Sequence, residues 1–248
     1  SERLPWRAMQ MRNLKAIYMK EIKSYFNSPM AYIFLVIFAI LNGFWFSQTF
    51  FIEGGSSDLR NLFDMIPNIY LFFIPAITMG LISREKNLGT MEVILTLPLK
   101  NLDFVAGKYL ASLSLIVIGL FITLVHFFTL TQVGTNIDYG SVFTGYIGLA
   151  LVGAFYSSLG IFASSLTDNQ VIAFIIAVFF VLIFFLMGKL LILAPDSLVG
   201  IIQYLSVDYH LSYISRGVID SRNLIYFLSV VGFFLFMTIR ALEIRKWR

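Results

Sequence analysis

The residues Phe174-Ile175-Ile176-Ala177-Val178-Phe179-Phe180-Val181 are apolar without alternation. They lie inside Asn169–Gly188, a run of 20 residues that holds no Asp, Glu, Lys or Arg. A bilayer core about 30 Å thick takes about 20 apolar residues of helix to cross. Lipid offers backbone groups no water, so a crossing must be a helix or part of a closed barrel. Barrel strands are about half this length and alternate polar with apolar, unlike this run. Four more charge-free runs flank it: Ser24–Ile52, Met65–Ser83, Tyr109–Ile137 and Tyr139–Thr167, so that the five are 19 to 29 residues long. A sixth, Asn223–Ile239, is slightly shorter. The expected fold is all-α: a polytopic integral membrane protein with six transmembrane helices.

Composition agrees. Hydrophobic residues make up 58% of the 248-residue chain and charged residues 13%, against about 25% charged in ordinary soluble domains. Six spans leave little for a soluble domain, so residues 11–248 are expected to be a single transmembrane domain. A nucleotide-binding or catalytic domain would belong to another chain. The absence of cysteine removes disulfides, thiol catalysis and thiolate-bound metal.

The net charge of +4 is explained by where the charges sit. With a cytoplasmic N-terminus, 14 of the 18 Lys and Arg fall inside, leaving Arg60, Lys189, Arg216 and Arg222 outside. This positive-inside bias puts both termini in the cytoplasm, and nucleic acid is not expected as a partner. The first apolar run is too long for a cleavable signal peptide, and Ser28-Pro29 precedes it where a cleavage site would have to follow. Ser1 to Gln10 fits no family pattern and reads as an expression remnant or a disordered lead, with a natural start at Met11.

Arg12 to Asn27 carries Leu14, Ile17, Tyr18, Ile22, Tyr25 and Phe26 at helical spacing, with Lys15, Lys20, Glu21 and Lys23 off the stripe. This predicts a surface helix with its apolar face among acyl chains and its lysines near headgroups. Asn27-Ser28-Pro29 ends it. The spans are expected near Met30–Ile52, Met65–Ser83, Asp103–Val133, Ser141–Leu166, Gln170–Leu193 and Asn223–Arg240. Asp168-Asn169 forms a tight inner turn. Between the last two spans, two short helices are expected on the outer leaflet, one with Leu198, Ile201, Ile202 and Leu205 on one face and one within Val207–Ile219.

No catalytic constellation, metal set or cofactor motif is present in the sequence. An ionisable group deep in a span is the usual mark of a proton- or sodium-driven pump. The span interiors offer only His126, more simply a hydrogen-bonded structural histidine than a relay. Asn42, Gln48 and Gln132 read as interhelical glue. Gly153, Ser157, Gly160 and Ser164 make a small-residue stripe that lets another helix approach, and internal packing outweighs a pore lining. Phe174, Phe179, Phe180, Phe184 and Phe185 face lipid or a second subunit; periodicity leaves both open.

The stretch between spans two and three, Ser83 to Pro98, is the specific signal. Glu85-Lys86 leads into Gly89-Thr90, then Glu92, and Thr96 precedes Pro98 by two. Locally this predicts a break at Gly89, a short helix capped by Thr90 with Glu92 in its first turn, and a stop before Pro98. The pattern Glu-Lys-x-x-Gly-Thr-x-Glu-x-x-Leu-Thr-x-Pro resembles the corresponding segment of ABC-2-type transporter permease subunits. The likeness runs from Met11 to Arg248. Arg216 to Tyr226 and the basic ending Glu243 to Arg248 are similar to the branch associated with gliding motility and nitrous-oxide reductase maturation.

The resemblance implies that this segment is a coupling helix docking on a separate ABC ATPase, with Glu85, Lys86, Gly89, Thr90, Glu92 and Pro98 matching the pattern. It implies two ATPase copies, a second permease subunit (identical or homologous), contact between the surface helix and the ATPase, and no enzymatic activity in this chain. The cargo does not follow. An exporter is expected. An ATP-driven mechanical or assembly component that moves no solute is the alternative, and an ATP-independent channel or secondary transporter stands third.

The charge bias makes a topological prediction. Single cysteines introduced into this cysteine-free chain at Gly55, Asn136 and Asp208 should react with an impermeant thiol reagent on intact spheroplasts. One at Asn87 should react only after lysis; labelling of Asn87 on intact cells overturns the orientation.

Overall fold

The computed structural model describes residues 6–52, 59–96, 99–133, 137–193, 195–218 and 220–246. Among them there is no strand, and six helices are long and apolar enough to cross a membrane. The first described element is α1 (Trp6–Asn27), a helix that precedes the spans. Span one is α2 (Pro29–Ser47), extended by a π-helical turn over Gln48–Ile52. Span two is broken into α3 (Arg60–Thr78) and α4 (Gly80–Asn87), and the short α5 (Thr90–Thr96) follows. Spans three to five are α6 (Asn101–Val133), α7 (Tyr139–Leu166) and α8 (Gln170–Lys189). After a 3₁₀ turn come α9 (Asp196–Leu205) and α10 (Val207–Ser215), and α11 (Ser221–Lys246) is span six. The loops expected near Gly55 and Asn136 lie outside the described residues.

The span boundaries differ from the sequence reading where polar residues prolong a helix. Span two starts at Arg60 and α4 runs to Asn87, so Arg84, Glu85 and Lys86 lie on helix and not in a loop. At 33 residues, α6 is about 50 Å long, well beyond the about 30 Å apolar core. Its first turns can therefore stand at the membrane surface. Capping follows the sequence: the Asp138 carboxylate accepts from the backbone N–H of Gly140 and Ser141, and the Asn169 side chain accepts from Val171 and Ile172.

Helix α7 is the centre of the bundle, packed against α3, α6, α8, α10 and α11. Its small residues face inward. Ser157 shares a 2.6 Å hydrogen bond with Ser112 of α6, and Gly153 packs against Ile116 and Tyr70. A Cβ on Gly160 would lie 1.9 Å from Thr78 Oγ1, so only glycine lets α3 come this close. The stripe is an internal seam. The phenylalanines of α8 do not share one face: Phe185 is buried and Phe184 packs edge-on against Phe155 at 5.0 Å. Phe180 meets Phe162 and Phe234, while Phe179 is exposed. Along α8, Val171, Ile175, Phe179 and Ile183 form the outward strip.

Helix α1 departs from expectation. Its apolar face lies on protein, not acyl chains: Tyr25 is buried, Ile17 packs on Gly107 of α6, and Tyr18 Oη bonds Ser114 at 3.0 Å. The Tyr25 hydroxyl donates to the Ile77 carbonyl. Glycine at 107 and hydroxyls at facing positions offer α1 a better surface than lipid does. At the other end, α9 leaves Leu198 and Ile201 exposed, and α10 is sunk into the bundle through Val207, Leu211 and Ile214. His210 is buried on α10. Its Nε2 donates to the Tyr204 carbonyl at 2.7 Å, its Nδ1 lies 2.7 Å from the Asn223 side chain, and its ring stacks on Tyr226. Beside it, burial pushes the Asp208 carboxyl above its ordinary range against the opposing pull of Lys189.

Of the polar residues noted within spans, Asn42 does not bridge helices as expected, and His126 of α6 makes a ring contact with α2. Asn42 donates to Phe38 O on its own helix, and the His126 ring stacks on Phe46 at 4.6 Å.

Gly160→Ala should lower thermal stability in detergent by about 1–3 kcal/mol, because the added methyl overpacks the seam. Gly232→Ala on α11, where nothing lies within 4 Å of the added atom, should leave the melting temperature unchanged or slightly raised. Equal melting of both variants would contradict a tight α3–α7 seam.

Candidate coupling site

The break in span two determines where the next residues point. The Met79 N–H still reaches the Pro75 carbonyl at 2.9 Å, and α3 ends there before α4 begins at Gly80. Past the break, the backbone N–H groups of Ile82 and Ser83 donate to Ser164 Oγ of α7 at 3.1 and 3.0 Å, and that hydroxyl donates to the Met79 carbonyl at 2.7 Å. One donor and two acceptor sites are all a serine hydroxyl has, so Ser164 is fully used in splicing α3 to α4. Lys86 Nζ donates to the Ser165 carbonyl at the end of α7, a cation where the helix dipole is negative.

With α4 so fixed, Glu85 turns inward and is buried. Its Oε1 accepts from Lys20 Nζ of α1 at 2.6 Å, and its Oε2 is 3.1 Å from Lys108 Nζ of α6. Lys108 donates to Glu21 Oε1 at 2.8 Å, and Glu21 is 3.8 Å from Lys20. The four groups make a ring of alternating charge joining three helices. Lys108 is 1% exposed and also sits 4.8 Å over the Phe104 ring. Lys20 is the exposed corner, its side chain 60% accessible. Burial lowers the Lys20 pKa, but the bond to Glu85 and the charges of Glu85 and Glu21 outweigh this, and the net shift is upward. A raised lysine pKa stabilises fully below its unfolded value and is lost only as pH climbs through the folded one, so this tie holds across neutral pH.

Beyond the ring, Gly89 adopts φ +68°, a left-handed turn that suits glycine. It reverses the chain into α5. The Thr90 hydroxyl does not cap α5 as expected. It donates to the Glu85 carbonyl at 3.2 Å, closing the end of α4. In α5, Met91 is buried as an anchor while Glu92 and Val93 are exposed. Leu88 is exposed just before the turn.

The expected coupling residues therefore separate. Gly89, Thr90 and Glu92 lie together on an exposed turn and helix, Lys86 reaches α7, Glu85 is internal, and Pro98 lies outside the described residues. Lys15 and Lys23 are exposed on α1. Two partners escaped the sequence reading. Glu21 was placed off the apolar stripe, yet it is four residues from both Ile17 and Tyr25, on their side of α1. Lys108 lies within the expected third span and was not singled out, although it sits between Val105 and Ala111, both buried.

A helical bundle with six spans, a broken second span and a short helix displayed beyond it defines a multi-pass membrane protein. Residues 10–216 match the family described as ABC-2 family transporter protein, and the chain belongs to that family. A comparison with curated proteins finds no match.

The ring makes an energetic prediction. Removing one partner of a buried ion pair costs about 3–5 kcal/mol because the other charge is stranded. Lys108→Met should lower the melting temperature in detergent markedly, and adding Glu21→Gln to it should recover part of the loss. If Lys108→Met melts like the parent, the ring contributes nothing to stability.

Proposed function

We propose that this membrane-spanning ABC permease subunit forms the pathway of an exporter driven by a separate ATPase, two copies of which dock beneath a pair of permeases. The observation that carries this reading is α5, which presents Glu92 and Val93 at the end of the bundle shared by α1 and α4. A short helix anchored by Met91 and turned outward at Gly89 is suited to seating in a cleft of another protein. Its tie to the spans runs through Thr90 to α4, and through the charge ring to α1 and α6. The 14-to-4 split of basic residues supports a cytoplasmic location for this end in a bacterial inner membrane.

Pairing is supported by the outward strip of α8, Val171, Ile175, Phe179 and Ile183, an apolar face not covered within the chain. This strip is our candidate for the seam with the second permease. Arg216 to Tyr226 and the basic ending support membership of the branch associated with gliding motility and nitrous-oxide reductase maturation.

Glu92→Lys and Gly89→Pro should leave insertion intact and uncouple the permease from its ATPase. The helix-dipole effect of Glu92→Lys is only about 0.3–1 kcal/mol, so a large loss of transport-linked ATP hydrolysis would reflect lost docking. Normal coupled hydrolysis in reconstituted liposomes with both variants would refute the reading.

A further inference from the structure

The charge ring forms one wall of a cavity of about 730 Å³ between α1, α4 and α5. That volume is in the range of small-molecule sites. Its polar lining includes Lys20, Arg84, Ser24 and Ser28, and its apolar lining includes Met30 and Leu81. Within the ring the two lysines balance the two glutamates. Arg84 is extra: it is exposed, lines the same cavity, and its guanidinium has no hydrogen-bond or ion-pair partner among the described residues. The cavity thus carries an uncompensated positive charge next to the exposed corner of the ring.

Its height in the bundle matters as much. Pro29, the first residue of span one, and Gln170, the first of span five, both line it. It therefore opens where apolar helix begins, at the level of lipid headgroups. A soluble anion would satisfy Arg84 but leave the Met30 and Leu81 wall uncovered, whereas a phospholipid supplies the anion and the apolar chain at one depth. Basic pockets between helices on the cytoplasmic side are known to suit anionic headgroups.

We infer that this cavity is a binding site for an anionic phospholipid, its phosphate held by Arg84 and Lys20 with the Ser24 hydroxyl in reach, and its upper chain against Met30 and Leu81. Occupancy bears on Lys20, which is shared with Glu85, so the bound lipid and the ring compete for one ammonium group.

The test uses the full chain alone in nanodiscs, so its outcome does not depend on the transport reading. The cysteine-free background allows Ser24→Cys, an exposed lining position, to carry a fluorophore. Quenching by brominated phosphatidylglycerol is compared with brominated phosphatidylcholine at equal content. Phosphatidylglycerol should quench more strongly, and Arg84→Gln should reduce that preference about five-fold. Arg222→Gln, exposed on α11 at the opposite end of the bundle, should leave it intact, as should inorganic phosphate at matched ionic strength. Equal quenching by the two lipids, or an unaltered preference in Arg84→Gln, overturns the proposal. So does loss of the preference on adding phosphate, which identifies a free-phosphate site. A label shielded from both lipids overturns it as well, since protein then covers the cavity.

Discussion

The Ser164 hydroxyl, bonded to Met79, Ile82 and Ser83, is the contact on which the far end of the bundle depends. A break in a spanning helix exposes backbone groups that lipid cannot satisfy. The neighbouring helix must therefore supply a polar atom at close range. Gly160, one turn earlier on α7, gives the necessary proximity. Sequence, packing and hydrogen bonding converge here: a small residue admits α3, a hydroxyl repairs it, and α4 leaves the seam in a defined direction.

That direction brings Glu85 to Lys108 and Lys20. Burying three of the four charges is costly, and such rings add little net stability compared with apolar packing. Their effect is on geometry. A carboxylate on α4 that must meet an ammonium on α6 fixes how α4 is rotated, and Glu21 fixes α1 against the same lysine. Helix α5, hung from α4 by Gly89 and Thr90, inherits that placement. A displacement of α5 would thus be felt first by α4 and then, through the ring, by α1 and α6.

Much of this was legible in the chain itself. Charge-free runs gave the six spans, because lipid penalises every buried charge alike and leaves a long signal. Gly89 before Thr90 and Glu92 marked the turn into α5, and the spacing of Gly153, Ser157, Gly160 and Ser164 marked an internal seam. What periodicity could not supply was the identity of partners far apart in sequence. Glu21 and Lys108 are 87 positions apart, and Lys20 and Glu85 are 65 apart. Each looks like a solvated charge until its partner is present. The same limit explains α1, whose apolar stripe was expected to meet lipid: a stripe specifies an apolar neighbour and does not say which. Thr90 differs only in the direction of one hydrogen bond, a choice set by the nearby Glu85 carbonyl.

The ring holds two ammonium and two carboxylate groups, so its formal charge is zero. One elementary charge carried across a bilayer exchanges about 2.3 kcal/mol per 100 mV with the membrane potential. A neutral assembly exchanges none when it shifts as a unit. The ring therefore adds no electrical work when α1, α4 and α6 move together near the membrane surface, and the resting voltage acts on that motion only through the other charges of these helices, Arg84 among them.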